Sequence, residues 1–391
     1  MEEEPWPLHV IDDAGRGADG VRLGDVNGDG FVDVVTGWEE SGETRLYLHP
    51  GFGKAKERWP RVVLGAARSV EDAVMVDLDG DGQMEVVSSC EGNELAHVVH
   101  ARRGRGGEGD DAWDTFRVGV TQGRSAWMMA YPLKSNGKEG ADLVVGSKKR
   151  GETIAFVGGL FAPADHYRKS GWSFQPWYES ASGWIMSLIP WDADGDGDED
   201  VLVSDRKGGK AGVFWLENSG ANHDGYWPIH RLGAMGREVM FLALADVDEN
   251  ESLEVLAAVK PAEIHWLSQG EAEAGKAAPW RTKVVPLTHA KGVGTAKGIA
   301  VADMNGDGRK DLVASFEKAD SPKRGVIWLE QGSEGRWTSH DVSGPKGIKF
   351  DQVKLVDLDG DGDQDVLTCE ERHHGRGLGV IWYENPSLPS P

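Results

Sequence analysis

Two cysteines, Cys90 and Cys369, in a chain of 391 residues exclude a disulfide-stapled scaffold. They fall in the second and seventh of the repeats described below, each just after an equivalent strand, so free thiols are expected rather than a bridge. No apolar run reaches the ~18 residues needed for a membrane-crossing helix, and no span is expected. Helical periodicity is scarce, and no Ser/Pro-rich linker or compositional break divides the chain. Several catalytic signatures are missing: a nucleophile elbow, an HExxH helix, a phosphate-cradling loop and a Cys/His metal cluster. Gly104–Gly109 is glycine-rich, but no helix follows it to hold a phosphate. Positive charge is short too, with 42 Lys and Arg against 65 Asp and Glu and a net charge of −23. Such a balance repels a phosphate backbone, so nucleic acid is not an expected partner. The opening Met-Glu-Glu-Glu-Pro does not read as a signal peptide. If a leader has been removed, an extracellular or periplasmic location is the expectation.

What is present is glycine, 54 residues of it, and one acidic loop repeated along the chain. The loop reads Asp25-Val-Asn-Gly-Asp-Gly-Phe-Val-Asp33, and strong copies occupy 77–85, 192–200, 303–311 and 357–365. A sixth copy at 246–254 keeps the acidic frame but has Glu249 and Glu251 in place of the glycines, and a seventh, from Tyr131 to Asp142, keeps only its closing Asp. Successive starts are 52, 54, 61, 54, 57 and 54 residues apart, so one array fills residues 1–391 as a single domain. Apolar strand-like segments flank each loop. Around the 192–200 copy they are Ile185–Trp191, Asp200–Ser204, Gly212–Asn218 and Trp227–Leu232, with a tryptophan opening the fourth. That tryptophan recurs as Trp6, Trp59, Trp113, Trp172, Trp280 and Trp337. Seven four-stranded units predict an all-β fold, a seven-bladed β-propeller of antiparallel blades. The chain opens on a fourth strand (6–11) and closes after a third (379–384), so the N-terminal strand should complete the last blade.

Asp, Asn and Gly are also what any tight turn prefers. That reading covers one or two loops, but not acidic or amide residues at positions one, three, five and nine of six repeats. Those residues are Asp25, Asn27, Asp29 and Asp33; Asp77, Asp79, Asp81 and Glu85; Asp192, Asp194, Asp196 and Asp200; Asp246, Asp248, Asn250 and Glu254; Asp303, Asn305, Asp307 and Asp311; and Asp357, Asp359, Asp361 and Asp365. Alternate side chains of a curled loop converge their oxygens, and an all-oxygen, carboxylate-rich set suits Ca²⁺ rather than Zn²⁺. About five structural Ca²⁺ sites are therefore expected, with the 246–254 loop undecided and the Tyr131 repeat empty. Five divalent ions would leave a net charge of about −13. An EF-hand is rejected, because the flanks are strands and the twelfth-position Glu is absent.

The Asp-x-Asp/Asn-Gly-Asp-Gly-x-x-Asp loop, its apolar flanks and the Gly-Val-x-Trp-x-Glu segments (212–217, 325–330, 379–384) resemble the FG-GAP or VCBS repeat propellers. Integrin-type Phe-Gly and Gly-Ala-Pro signatures are not evident, so the bacterial VCBS-like branch is the better match. The resemblance covers essentially the whole chain. It implies that the calcium loops are structural and lie on the face opposite the usual ligand face; it narrows function without fixing it.

A ligand site is then expected at the other mouth of the channel, five to nine residues upstream of each loop. Candidates for ligand binding are Arg16, Asp19, Glu71, Asp72, Arg237, Lys297 and Asp351, with Trp38, Trp127, Trp184 and Arg372 nearby, and Arg68 and Arg124 as binding or catalytic groups. The loops after strand two add Glu39, Glu91, Lys148, Arg206 and Glu317. Charged residues can also simply solvate a loop face or pin blades together. His9, His230 and His340 recur in strand four, and His97, His100 and His265 in strand three, where a structural role is expected. His289, His373 and His374 sit in long loops, and His373 and His374 are the catalytic candidates. Guanidinium, carboxylate and aromatic groups together suit a carbohydrate, or an acidic sugar through arginine forks. Recognition of a carbohydrate or protein ligand is the first expectation. A carbohydrate lyase or dehydratase working by β-elimination is the second, and a structural interaction scaffold the third.

Overall fold

Seven four-stranded antiparallel sheets form the computed structural model. It describes residues 4–92, 94–102, 112–134, 139–164, 170–220, 225–271, 278–289, 291–371 and 377–386. The first sheet joins Ala18–Gly24, Asp33–Trp38, Glu43–Tyr47 and Arg61–Ala66 in sequence order. The last joins Phe350–Val356, Asp365–Glu370 and Gly379–Tyr383 to Leu8–Asp12, so the N-terminal strand completes the seventh blade as expected. The first strands of the other blades are Val70–Val76, Ala126–Leu133, Ile185–Trp191, Val239–Ala245 and Thr295–Ala302. Each first strand contacts those of the two neighbouring blades, and these contacts close into a ring around a central channel. The N-terminal strand covers the edge that Gly379–Tyr383 would otherwise expose. No helix among the described residues is long and apolar enough to cross a membrane.

Second strands are buried along their length, while fourth strands such as Trp280–Val285 face water. The core therefore lies between blades. The periodic tryptophan reaches back across that gap: Trp227 stacks on Trp177 with centroids 4.0 Å apart, and Trp6 and Trp337 meet Trp328 and Trp266 at 6.2 Å. Strand-four histidines have a structural task, as expected. His9, His230 and His340 lie 4.4, 4.2 and 4.4 Å from Trp382, Trp215 and Trp328. Each pairs through Nε2 with the glutamate two residues beyond that tryptophan: Glu384, Glu217 and Glu330. Both cysteines are free and buried.

All seven inner hairpins share one register. The last residue of the first strand pairs with the closing acid, as in Gly24↔Asp33, Trp191↔Asp200 and even Leu133↔Asp142 of the degenerate repeat. The closing acid has a structural task that explains its persistence. One oxygen of Asp33 accepts the N–H of Val26 (3.0 Å) and the other that of His49 at the end of strand three (2.9 Å). Asp200, Asp311 and Asp365 repeat both bonds, and Asp142 keeps the strand-three bond through the N–H of Ala162 (2.9 Å). Within the loops the first Asp accepts backbone N–H groups at positions four and six, where the glycines have positive φ. The 246–254 loop takes the same shape without glycine, with φ of 59° at Glu249 and 71° at Glu251. Left-handed backbone strains any residue with a Cβ. Glu251→Gly is therefore expected to stabilise the protein by up to ~1 kcal/mol in denaturant unfolding; an unchanged midpoint would show that the loop relaxes in solution.

Candidate ligand site at the channel mouth

Every inner strand carries a β-bulge near its start. Pairing skips Gly20, Glu71, Met128, Met186, Phe241, Lys297, Asp351 and Gln352, among others. A bulge re-aims side chains that a regular pleat would alternate between neighbouring blades. All of these skipped residues line a cavity of about 240 Å³ at the mouth away from the acidic loops. Residues at the ends of the second strands complete it, among them Glu39, Glu91, Lys148, Arg206, Glu317 and Glu371.

The wall is chemically two-sided. Blades six, seven, one and two contribute Lys297, Asp351, Asp19 and Glu71 from their inner strands, while blades three to five contribute Met128, Met129, Met186 and Phe241. Trp184 stands on the apolar side, half-buried, with Lys148, Arg206 and Lys207 at 4.4, 4.3 and 4.7 Å from the ring centroid.

Ion pairs organise the polar side. Lys148 bridges Glu71 (3.3 Å) and Glu91, Lys297 lies 3.5 Å from Asp351, and Lys349 and Lys260 pair with Glu371 and Glu317. Burial, with help from Asp351, holds the Asp19 carboxyl well above the ordinary range and favours the acid, which hydrogen-bonds to Asp351. Burial also pushes Glu71 up to about 8, because Glu91 and Glu39 oppose the relief that Lys148 gives. At Asp351 burial is outweighed by Lys297 and the Asp19 hydrogen bond, and its pKa falls.

Farther along the channel Arg22 forms a bidentate pair with Asp72 (3.0 and 2.8 Å) and lies 4.0 Å over the Tyr131 ring. Burial would raise the Tyr131 hydroxyl, but the cations Arg22 and Lys354 pull it below its ordinary value.

The structure brings together Asp19, Glu71, Asp72, Trp184, Lys297 and Asp351 from the expected set. Arg206 lines the cavity, but four of the other expected arginines stay out of it. Arg16 and Arg68 are exposed, Arg68 along a neighbouring groove. Arg124 bonds Val120 O (3.3 Å) and stands over Phe174, and Arg237 is spent on Lys260 O and Glu263 (3.2 and 2.8 Å). Trp38 and Trp127 are buried between blades, donating to Tyr47 Oη (2.8 Å) and Thr121 O (3.0 Å). Arg372, His373 and His374 lie outside the described residues. Sequence reasoning missed Met128, Met129, Met186, Gln352 and the deeper Arg22, Tyr131 and Lys354. Their shared offset from the acidic loop was the available signal: Asp19, Met186, Lys297 and Asp351 all stand six residues before it, and Arg22 and Lys354 three.

Residues 25–88 and 303–368 match the family model of the FG-GAP-like repeat. The chain is a seven-bladed propeller that carries FG-GAP-like repeats. A chain in the crystal structure of BBS1N in complex with ARL6DN superposes on this propeller with a TM-score of 0.53 at 11% identity, over 99% of this chain and 98% of that one. The exotype rhamnogalacturonan lyase YesX superposes with a TM-score of 0.52 at 13% identity, over 97% of this chain and 76% of that one. At such identities the likeness is one of fold alone. Among curated proteins none matches the sequence.

Proposed function

We propose that this FG-GAP-like propeller is stiffened by calcium in its acidic loops and recognises a carbohydrate at the opposite channel mouth. The two-sided wall of the cavity carries this reading. A sugar ring has apolar C–H faces and a hydroxyl rim, and here thioethers, Phe241 and Trp184 oppose a belt of carboxylates and ammonium groups. The surplus of carboxylates and the absence of the four arginines from the cavity favour a neutral sugar over a uronate. For calcium, the support is convergence: one carboxylate oxygen from each of Asp77, Asp79 and Asp81 lies within 4.8 Å of the others, as for Asp192, Asp194 and Asp200. Opposed ligands of a Ca²⁺ ion stand about 5 Å apart, so these sets fit it. Neutral oligosaccharides are expected to quench the Trp184-dependent fluorescence and to lose at least about tenfold in affinity with Phe241→Ala, the size of one lost apolar contact. Equal binding of neutral and uronate sugars, or none at millimolar concentration, would overturn the reading.

A second reading, β-elimination, is favoured by one cluster. Tyr131, with its hydroxyl acidified beside Arg22 and Lys354, has the parts of a proton-abstracting base next to cations that neutralise a carboxylate. It predicts an ultraviolet-absorbing unsaturated product from rhamnogalacturonan, abolished in Tyr131→Phe. Binding without absorbance would leave the recognition module standing.

A further inference from the structure

We propose that the channel mouth holds a calcium-sized cation of its own, distinct from the loop ions, coordinated by Asp19, Glu39, Glu71, Asp351 and Glu371 with the Gln352 carbonyl. Two interlocking triads carry this. Single carboxylate oxygens of Asp19, Glu39 and Glu71 lie within 4.8 Å of one another, and so do those of Asp19, Asp351 and Glu371. Asp19 belongs to both, so the two triads adjoin at the wall of the cavity.

Independent of the acids, one buried acceptor there finds no donor among the described residues. Gln352 is 6% exposed, lines the cavity and leaves its Oε1 without a hydrogen-bond partner. An orphaned buried amide oxygen costs stability unless something electropositive meets it. The bulge unpairs Asp351 and Gln352 together, which lets both face the channel.

Charge balance agrees. Lys148, Lys297 and Lys349 pair with Glu71, Asp351 and Glu371, whereas Asp19 and Glu39 enter no ion pair among the described residues. One divalent ion would match the two acids left without an ammonium partner. Bonds of about 2.3–2.6 Å let Ca²⁺ span oxygens ~5 Å apart, whereas Mg²⁺ with bonds of about 2.0–2.1 Å would need a tighter cage. The site is independent of the carbohydrate reading, because its readout is the ion itself.

The test uses the full chain. Calcium per chain is measured by elemental analysis after equilibration in micromolar CaCl₂, for the wild type, for Asp19→Asn/Asp351→Asn and for Gln352→Leu. Crystals soaked in MnCl₂ are read by anomalous scattering. The double variant is expected to lose one ion per chain while the loop ions stay, Gln352→Leu to weaken that one ion at least about tenfold, and an anomalous peak to appear between Asp19 and Asp351. Unchanged stoichiometry in a folded double variant, or peaks confined to the acidic loops, would overturn the proposal. Should the double variant fail to fold, the Gln352→Leu titration and the anomalous map decide alone.

Discussion

Chelation by EDTA is expected to lower the melting temperature by about 15 °C, the largest single change that solution conditions should produce in this protein. An ion bound only by the folded state stabilises it by about 2.7 kcal/mol at a hundredfold excess over Kd. Five such loops give roughly 13 kcal/mol, and an unfolding entropy of about 2.1 cal/mol/K per residue converts this into the stated shift. The loops make the dependence plausible at the level of single charges. In the 192–200 loop, Asp192, Asp194 and Asp200 each bring a carboxylate oxygen within 4.8 Å of the others, and the hydrogen bonds that Asp192 and Asp194 accept among the described residues come from backbone N–H groups of the loop itself. Without an ion, mutual repulsion works against the closing bonds that Asp200 makes to Ala193 and Asn218. Calorimetry in CaCl₂ and in EDTA measures the shift, and Asp192→Asn/Asp194→Asn should remove about a fifth of it. Coincident melting curves, with no calcium found by elemental analysis, would defeat the calcium reading.

The same loops explain how far the sequence could be read. Blade count, strand order and closure were legible because each repeat must spend the same residues on the same backbone bonds. The closing acid satisfies one N–H group in its loop and another at the end of strand three, and survives at Asp142 where the rest of the loop is lost. The Trp-x-Glu pattern and the strand-four histidines were legible for a like reason, since each histidine needs both its tryptophan and its glutamate. The cavity was legible only in part. Counting five to nine residues upstream of a loop crosses the bulge. Asp19, Glu71, Lys297 and Asp351, six residues upstream, lie on the channel side, while Arg16, Arg68 and Arg237, nine upstream, belong to the preceding turn. The recurring offset of six stands out from nine in the sequence, but which of the two faces the channel does not, because a bulge adds residues without a compositional mark.

Replacing Arg22 by methionine is expected to cost about 3–5 kcal/mol, because it strands a buried carboxylate. The side chains of Arg22 and Asp72 are only 6% and 3% exposed, and their two parallel bonds join the inner strands of blades one and two. Burial holds the Asp72 carboxyl above its ordinary value even with the guanidinium beside it. In Arg22→Met that pKa rises further, so the folded state binds a proton the unfolded chain does not. An acid raised on folding contributes stability at low pH and loses it as pH climbs. The deficit of the variant relative to the wild type should therefore narrow as pH falls from about 8 to about 5. Arg22→Met/Asp72→Leu, which removes both charges, should recover most of the loss, as buried ion pairs replaced by apolar pairs of similar volume often do. A cycle of the two single variants and the double, measured by denaturant unfolding, separates the outcomes. Additive single and double effects, or a deficit that is flat with pH, would mean that Arg22 acts through its contact with Tyr131 rather than through Asp72.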